Sequence, residues 1–398
     1  MSYFPTIAGV ALAAVAMAAA IPASAQDTIK IGVLLIDSGP LASLRETETK
    51  AVNLAIEQEN AAGGVLGKRL EADFISYPGT PDAAVDSASR AIQKDGALFI
   101  TGMVTSAVAP ALIAKMPALN GIIVEAMARA DVLTGARCSK DYFRITETDS
   151  MVMRAVSQFV ADSGLKKWDT ISVDYAAGRD SAARFKALIT SQGGSIGKSI
   201  FTPIGTADFG TKIAELSNDP GDGLYVTVTG ADSINFAKQQ AQFGLFKKYK
   251  MVLGNSFVIP QTLPAQGESV VGVYETLGFT PSLPGDGTKS FVQAYEAKYP
   301  GESPAFTSAD QYAAIQMIVE ALKKANSTDV AAVRAALSGL KANTALGDIE
   351  IRSEDHQAIR PVSINEIVTG PDGKAAFELK SIETGSNIIP PVEPACRM

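Results

Sequence analysis

Short apolar segments alternate with amphipathic ones along most of the chain. Residues Thr28 to Ile36 read TIKIGVLLI, a β-branched and almost wholly apolar run that is typical of a strand buried on both faces of a parallel sheet. The stretch after it, to about Asn60, carries apolar residues near helical spacing and predicts a helix. The same reasoning predicts strands at 70–77, 97–101 and 121–126 and helices at 83–94 and 105–119.

The alternation then restarts in a second unit of similar length. It predicts helices at 151–163, 181–192, 209–216 and 233–243, and strands at 170–174, 196–201, 223–229 and 250–254. Strands separated by helices of this length imply right-handed βαβ units and a mostly parallel sheet. The sequence therefore predicts two successive α/β units.

The remaining residues, roughly 275–398, are too few and too irregular for a third equal domain. They contain predicted helices at 290–299, 309–325 and 330–339, and predicted strands at 349–352 and 362–368. We expect this part to complete both units, so that the chain passes between them more than once.

Charge excludes one class of partner. The chain has 398 residues, 46% of them hydrophobic, and a formal net charge of −7. Binding to phosphate backbones needs a basic face, so we expect no nucleic-acid partner. The apolar content is ample for packed cores.

The first 25 residues have the pattern of an export signal. They carry no charged side chain, and an apolar run over residues 7–20 is followed by Ala23 and Ala25, a small-residue cleavage pattern. At 14 residues the run is shorter than the roughly 20 that a membrane-spanning helix needs. We expect a signal peptide over 1–25, a mature chain that begins at Gln26, and a periplasmic location. A buried N-terminal helix is the alternative.

The thiol and imidazole groups are few. Cys138 and Cys396 form an even pair, which in an exported protein suggests one disulfide, with two unpaired thiols as the alternative. Together with the single histidine, His356, they are too few for a zinc site with three or four nitrogen and sulfur ligands. A Ser-His-Asp triad is available only if His356 itself serves. We therefore expect no metal site and no enzymatic activity.

Nucleotide motifs are absent from the sequence. The run GGVLGKR, Gly63 to Arg69, fails as a phosphate loop because its Gly-Lys pair comes one residue early and Arg69 replaces the magnesium-binding Ser or Thr. No G-x-G-x-x-G follows the first predicted strand, so the dinucleotide fingerprint is missing. We expect no cofactor.

Two segments at predicted strand ends carry groups that suit a carboxylate. Thr105 and Ser106 lie between a strand end and a helix start, where free backbone N–H groups and hydroxyls bind anions. Simple capping of the helix is the alternative for these two residues. Arg129 follows another strand end, and open α/β sheets bind ligands at such ends. A surface arginine is the alternative there.

Several segments together resemble the periplasmic branched-chain amino acid-binding family of ABC uptake systems, the type I solute-binding proteins. The resemblance spans the chain after the predicted signal peptide. It rests on SGPLA at 38–42, NAAGGVLGK at 60–68, YFRI at 142–145, DYAAGRD at 174–180, RSEDHQ at 352–357 and the tail CRM at 396–398.

This resemblance implies a fold and a division of the chain. The fold is α/β, with two Rossmann-like lobes whose central, mostly parallel sheets are joined by a three-strand hinge. Lobe I is expected over 27–146 plus 279–355, and lobe II over 147–278 plus 356–398. A ligand bound between the lobes drives their closure.

The resemblance also implies a set of ligand-binding residues. In this family, lobe I holds a ligand carboxylate through hydroxyls and backbone N–H groups, and lobe II usually offers an aromatic side chain and an acid for the ligand's ammonium group. By position in the motifs, the implied ligand-binding residues are Ser38, Thr105, Ser106, Met127, Ala128, Arg129, Tyr175, Ala177, Thr229, Asn255 and Ser256.

Three departures from the family pattern bear on the ligand. Ala177 stands where a tyrosine is usual, which leaves Tyr175 as the nearest phenol, and Arg129 stands where a small hydroxyl residue is common. The segment 254–257 lacks the expected acid. A missing acid disfavours an ammonium group, and an added arginine favours an anion. An aromatic or other organic acid therefore competes with an amino acid as the predicted ligand.

The sequence thus predicts a monomeric binding protein that captures a small carboxylate for the membrane permease of an ABC transporter. A sensor module of the same fold is one alternative, but it needs a membrane component. A secreted α/β enzyme is the other, and it depends on His356.

Overall fold

The computed structural model of the protein describes residues 1–3, 28–383 and 385–398. Nearly all of the predicted signal peptide, including its cleavage site, lies outside these residues. Two α/β lobes are present, each built around its own central sheet.

Lobe I contains a sheet of five parallel strands. They are β1 (Thr28–Ile36), β2 (Arg69–Tyr77), β3 (Ala97–Gly102), β4 (Ile122–Glu125) and β5 (Tyr142–Arg144). Their order across the sheet is β2-β1-β3-β4-β5. Six successive residues of β1, Ile31 to Ile36, are buried, because helices cover both faces of a parallel sheet.

The helices connecting these strands are α1 (Arg45–Ala61), α2 (Pro81–Gln93) and α3 (Ala109–Leu119). A later part of the chain adds α9 (Asp286–Lys298), α10 (Phe306–Ala325) and α11 (Val330–Leu337) to the same lobe. It also adds a small antiparallel sheet of β11 (Lys341–Thr344), β12 (Gly347–Ile351) and β13 (Ala358–Ile359).

Lobe II contains a sheet of seven strands. They are β6 (Lys167–Val173), β7 (Ser195–Thr202), β8 (Gly223–Thr227), β9 (Met251–Asn255), β10 (Val273–Leu277), β14 (Val362–Thr369) and β15 (Ala375–Glu383). Their order is β15-β14-β10-β9-β8-β6-β7, and only β14 and β15 run antiparallel to their neighbours. The helices of this lobe are α4 (Asp149–Ser163), α5 (Ala176–Ser191), α6 (Gly210–Ser217), α7 (Gly230–Phe243) and α8 (Leu263–Gln266).

The hydrophobic cores follow the division into lobes. One large core draws on buried residues of 29–145 and 279–358, and the others draw on 151–273 and 362–388. Between residues 28 and 383 the chain therefore passes between the lobes three times, near 145–148, 278–280 and 359–361. Arg360, which is fully buried, donates from Nη1 to the Ile145 carbonyl at 3.3 Å and from Nη2 to the Gly278 carbonyl at 2.6 Å. One side chain thus ties all three crossings together.

The third crossing lies a few residues beyond the predicted change of lobe at 355–356. Ala358 belongs to the lobe I core because β13 pairs with β12. The end of the chain, expected in lobe II, also returns to lobe I, where Cys396 is joined to Cys138 in a disulfide with a Cα–Cα distance of 5.4 Å.

The helix predicted at 105–119 begins four residues later, at Ala109. Residues 105–108 form a turn instead, in which the Val108 N–H donates to the Thr105 carbonyl at 2.9 Å. Pro110 in the first turn of α3 needs no N–H partner and fixes this start.

Candidate functional site

A cleft of about 310 Å³ lies between the lobes at the carboxyl ends of their parallel strands. Eight of the predicted site residues line it, namely Thr105, Ser106, Met127, Arg129, Tyr175, Thr229, Asn255 and Ser256. The cleft also has five lining residues that sequence reasoning did not select, namely Leu41, Asp149, Gly178, Ser181 and Thr227. Both lobes therefore contribute polar side chains to one cleft.

Glu125, at the end of β4, fixes the lobe I loop that carries Arg129. Its Oε1 accepts the N–H groups of Met127 at 2.6 Å and Ala128 at 2.9 Å. Burial raises the pKa of this carboxyl to about 7, against the opposing effect of those hydrogen bonds. The loop N–H groups expected to hold a ligand carboxylate are thus already engaged within the protein.

Ser106 organises the same loop from the neighbouring strand end. Its Oγ accepts the N–H groups of Arg129 and Ala130, both at 3.2 Å. Since a hydroxyl has two acceptor positions and one hydrogen, Ser106 retains its hydrogen for a further acceptor. The donors on this wall therefore include the Ser106 hydroxyl and the Arg129 side chain.

The Arg129 guanidinium faces two carboxylates without saturating its donors. Nη2 lies 3.5 Å from Glu147 Oε1, and Nε lies 3.7 Å from Asp149 Oδ1. Burial by itself lowers the pKa of Arg129, but Glu147 and Asp149 outweigh this and hold it above its usual value. Nε is buried and has no hydrogen-bond partner within the described parts of the chain. The Arg129 guanidinium is therefore a charged donor for an anion that enters the cleft.

Asp149 supplies the acid that the segment 254–257 lacks. It lies in the first turn of α4, lines the cleft, and keeps 39% of its side chain exposed. Burial raises its pKa despite the attraction of Arg129, so the carboxylate is not fully compensated. The segment 254–257 contains no acid, but Asp149 brings one to the cleft from a different element.

Behind Arg129 lies a buried group of charges at the crossings. Arg360 Nη1 is 3.2 Å from Glu147 Oε2 and also pairs with Asp310. Arg360 and Arg129 overcome the effect of burial and lower the pKa of Glu147, whereas burial raises the pKa of Asp310 to about 6. The site thus combines two cations with three carboxyl groups.

The lobe II wall is rich in hydrogen-bonding groups. Asn255 Nδ2 donates to the Tyr225 hydroxyl at 3.1 Å and to Ser181 Oγ at 3.3 Å. With its amide hydrogens engaged, Asn255 offers a ligand its Oδ1 acceptor. The Thr227 hydroxyl donates to Ser172, so it too offers an acceptor.

The loop after β9 is held by another buried glutamate. Glu275 accepts the N–H of Ser256 at 2.6 Å and that of Val258 at 2.9 Å, and burial raises its pKa to about 8. Tyr175 lines the lobe II side of the cleft, with 39% of the residue exposed.

Two predicted site residues, Ser38 and Ala128, are placed apart from the cleft lining. The Ser38 hydroxyl donates to the Pro78 carbonyl at 3.4 Å, and Ala128 is buried beneath its loop. Ala177 is the second residue of α5, between Tyr175 and Gly178. Ser38 and Ala128 are not among the described residues that line the cleft.

His356 lies away from the cleft and packs within lobe I. Its ring stacks on Phe143 with centroids 3.9 Å apart, and Nδ1 lies 3.2 Å from the Tyr142 carbonyl oxygen. Across the described ranges, no group of three or more His, Cys, Asp or Glu side chains is arranged to hold a metal ion. None of the helices described is long and apolar enough to cross a membrane.

Comparison with known sequences identifies the family. The model of the periplasmic binding protein family matches residues 28–374. The chain is 27% identical to the Leu/Ile/Val-binding protein homolog 4 of Brucella abortus, with 98% of this chain and 97% of that protein covered. It is 29% identical to homolog 7 of Brucella melitensis, with 81% of this chain and 84% of that protein covered.

Solved structures agree with this assignment. A solute-binding protein of an ABC transporter from Rhodopseudomonas palustris, in complex with 3,4-dihydroxy benzoic acid, is 26% identical with a TM-score of 0.80, covering 90% of this chain and 98% of that one. An amino acid ABC transporter substrate-binding protein from Pseudomonas fluorescens shares the fold at 24% identity and a TM-score of 0.84, covering 94% and 100%. The predicted two-lobed α/β fold is confirmed. The chain belongs to the periplasmic binding protein family, as a type I member of its branched-chain amino acid-binding branch.

Proposed function

We propose that the protein is the substrate-binding component of an ABC uptake system and captures a small amino carboxylate between its lobes. The observation that carries this proposal is the partly exposed Arg129 side chain in the cleft beside the under-compensated carboxylate of Asp149. The ligand carboxylate pairs with Arg129 and the Ser106 hydroxyl. The ligand ammonium pairs with Asp149.

The charges around the cleft favour a ligand with both groups. Arg129 lies beside Glu147 and Asp149, and Arg360 pairs with Glu147 and Asp310. A ligand with a carboxylate but no ammonium group would therefore be the third carboxylate around Arg129. A zwitterion adds a cation for Asp149 as well as an anion for Arg129. Buried charges are stable only when paired, so the zwitterion is the better fit.

The polar wall of lobe II bears on the rest of the ligand. Thr227 and Asn255 line the cleft and donate their hydrogens within the protein, so an aliphatic side chain leaves their remaining acceptor positions unused. We therefore expect an amino acid whose side chain carries a hydrogen-bonding group.

A hydroxylated aromatic acid is the second candidate ligand. The same hydroxyl-rich wall suits ring hydroxyls, and a relative at 26% identity was solved with 3,4-dihydroxy benzoic acid. Such a ligand uses Arg129 but has no group for Asp149.

The cleft is favoured over larger spaces on the molecule. A groove of about 760 Å³ lies between residues 260–268, 280–282 and 373–377. Volume alone does not select a site; convergent polar groups with perturbed pKa values do. The smaller cleft holds Arg129 and Asp149, which meet that criterion.

The test is a thermal-shift and calorimetry panel of amino acids beside their deaminated analogues and hydroxybenzoates. Pairs such as phenylalanine and hydrocinnamate differ only in the ammonium group, and a bound ligand raises the melting temperature. Preference for the aminated member supports the proposal. Binding restricted to the deaminated acids or hydroxybenzoates selects the second candidate, and no binding by any carboxylate contradicts both.

Substitution at Asp149 gives the matched control. Asp149→Asn is expected to weaken an amino acid about tenfold or more, because a charge-assisted hydrogen bond is lost. Asp162→Asn, on the exposed far end of the same helix, is expected to have no effect. Equal affinity in the wild type, Asp149→Asn and Asp162→Asn contradicts the proposed role of Asp149.

We further propose that the chain is exported with cleavage after Ala25, acts as a monomer in the periplasm, and delivers its ligand to a membrane permease without catalysis. The family is periplasmic and its members are solute-binding proteins. Light scattering of the purified protein tests the monomer.

A further inference from the structure

The last residues of the chain leave lobe II and end on lobe I. Strand β15 forms the edge of the lobe II sheet, and Ile388 is then buried against Met151, Ala155 and Val362 of the same lobe. Cys396, close behind in sequence, is bonded to Cys138 of lobe I. We call residues 388–396 the tail strap.

The lobe I end of the tail strap is held by hydrogen bonds as well as by the disulfide. Glu393 Oε2 accepts the N–H of Ala136 at 3.0 Å. Arg352 Nη1 donates to the Pro390 carbonyl at 2.8 Å, and the same guanidinium pairs with Asp355. The tail strap is therefore anchored by an apolar contact in one lobe and by covalent and polar contacts in the other.

Three crossings already join the lobes, and the tail strap is a further connection with a different construction. The crossings are continuous chain tied by Arg360. The tail strap instead ends in a disulfide. Its anchor in lobe II is the buried side chain of Ile388, which follows β15, the strand that pairs with β14. A chain segment that is anchored in both lobes restricts how far the lobes can separate.

We propose that the tail strap limits the opening of the cleft, so that the ligand-free protein samples a narrower range of open states. Ligand binding then orders less of the molecule, and affinity is higher than it is without the strap. This inference rests on the two-lobed fold and does not depend on which carboxylate binds.

The test is small-angle X-ray scattering of the ligand-free protein in three variants. Cys138→Ser/Cys396→Ser removes the covalent end, Ile388→Ala weakens the apolar end with the disulfide intact, and Ile388→Val is the conservative control. The first two are expected to increase the radius of gyration and maximum dimension, while the control matches the wild type. Their affinity for a ligand found in the carboxylate panel is expected to fall roughly two- to tenfold.

Separate effects on stability do not obscure this result, because circular dichroism identifies variants that fail to fold. If the double serine variant does not fold, wild-type protein is compared before and after reduction of the disulfide by a phosphine. Unchanged scattering in Ile388→Ala overturns the proposal, as does a change seen only when the disulfide is lost. The carboxylate panel on wild-type protein tests the proposed function independently.

Discussion

Nη2 of Arg129 lies 3.5 Å from Oε1 of Glu147, so the cation of the ligand cleft shares a carboxylate with the first chain crossing. The other oxygen of that carboxylate lies 3.2 Å from Arg360, which ties the crossings together. Cleft and hinge are therefore electrostatically connected through one buried glutamate.

Arg129→Ala is expected to weaken ligand binding by about 1.5–3 kcal/mol, because a charged hydrogen bond is lost and Asp149 loses its neighbour. Calorimetry measures the change. Arg129→Lys keeps the charge but not the planar donor set, so an intermediate affinity is expected. Unchanged affinity in Arg129→Ala removes this residue from the site.

Arg360→Met is expected to destabilise the protein by about 3–5 kcal/mol, because it leaves Asp310 buried without its cation and Glu147 with Arg129 alone. Urea denaturation measures the loss. Arg179→Met is the control, since Arg179 pairs with Asp174 at the surface and such pairs contribute about 0–1 kcal/mol. Similar losses in both variants contradict the structural role of Arg360.

Glu125 predicts a dependence of stability on pH. Burial raises its pKa from 4.5 to about 7, so the folded protein retains a proton that the unfolded chain releases. The free energy of unfolding therefore falls as pH rises from about 4.5 to about 7.

Glu125→Gln removes this titration while Oε1 continues to accept the N–H groups of Met127 and Ala128. The variant is expected to flatten the pH slope and to exceed the wild type by roughly 1–3 kcal/mol at about pH 8. Denaturation across pH measures both, with exposed Glu71→Gln as the control. A slope equal to that of the wild type is incompatible with the buried, protonated carboxyl.

Mass spectrometry of protein isolated from the periplasm tests export and pairing together. We expect an N-terminus at Gln26 and a peptide that links Cys138 to Cys396. Reduction is expected to cost about 2–5 kcal/mol of stability, because the bridge closes a long loop. An intact Met1 or two alkylated thiols contradicts the corresponding expectation.

The regular alternation made much of the fold predictable. Strand β1 coincides with the predicted 28–36 run because both faces of a buried parallel strand are apolar. Strand β15 was missed: its residues are mostly half-exposed at the edge of the sheet, and its AAFELKSIE pattern lacks such a signal. β10 was also missed, because it lies after 250–254, the last strand of the second regular unit.

The site was predictable wherever the family motifs reach the strand ends. Asp149 was missed because an acid in the first turn of a helix is ordinarily explained by the helix dipole. Only tertiary structure brings it to Arg129. Its location directly after the predicted change of lobe at 146–147 was the available signal. Ser181 and Thr227 lie inside a helix and a strand, where sequence spacing does not reveal which side chains face the cleft.

The most direct measurement is a crystal structure of the protein with a ligand found in the carboxylate panel. The account predicts the ligand carboxylate within hydrogen-bond distance of the Arg129 guanidinium and the Ser106 hydroxyl, with its amino nitrogen at Asp149. A ligand bound elsewhere, or one whose carboxylate turns away from Arg129, contradicts it.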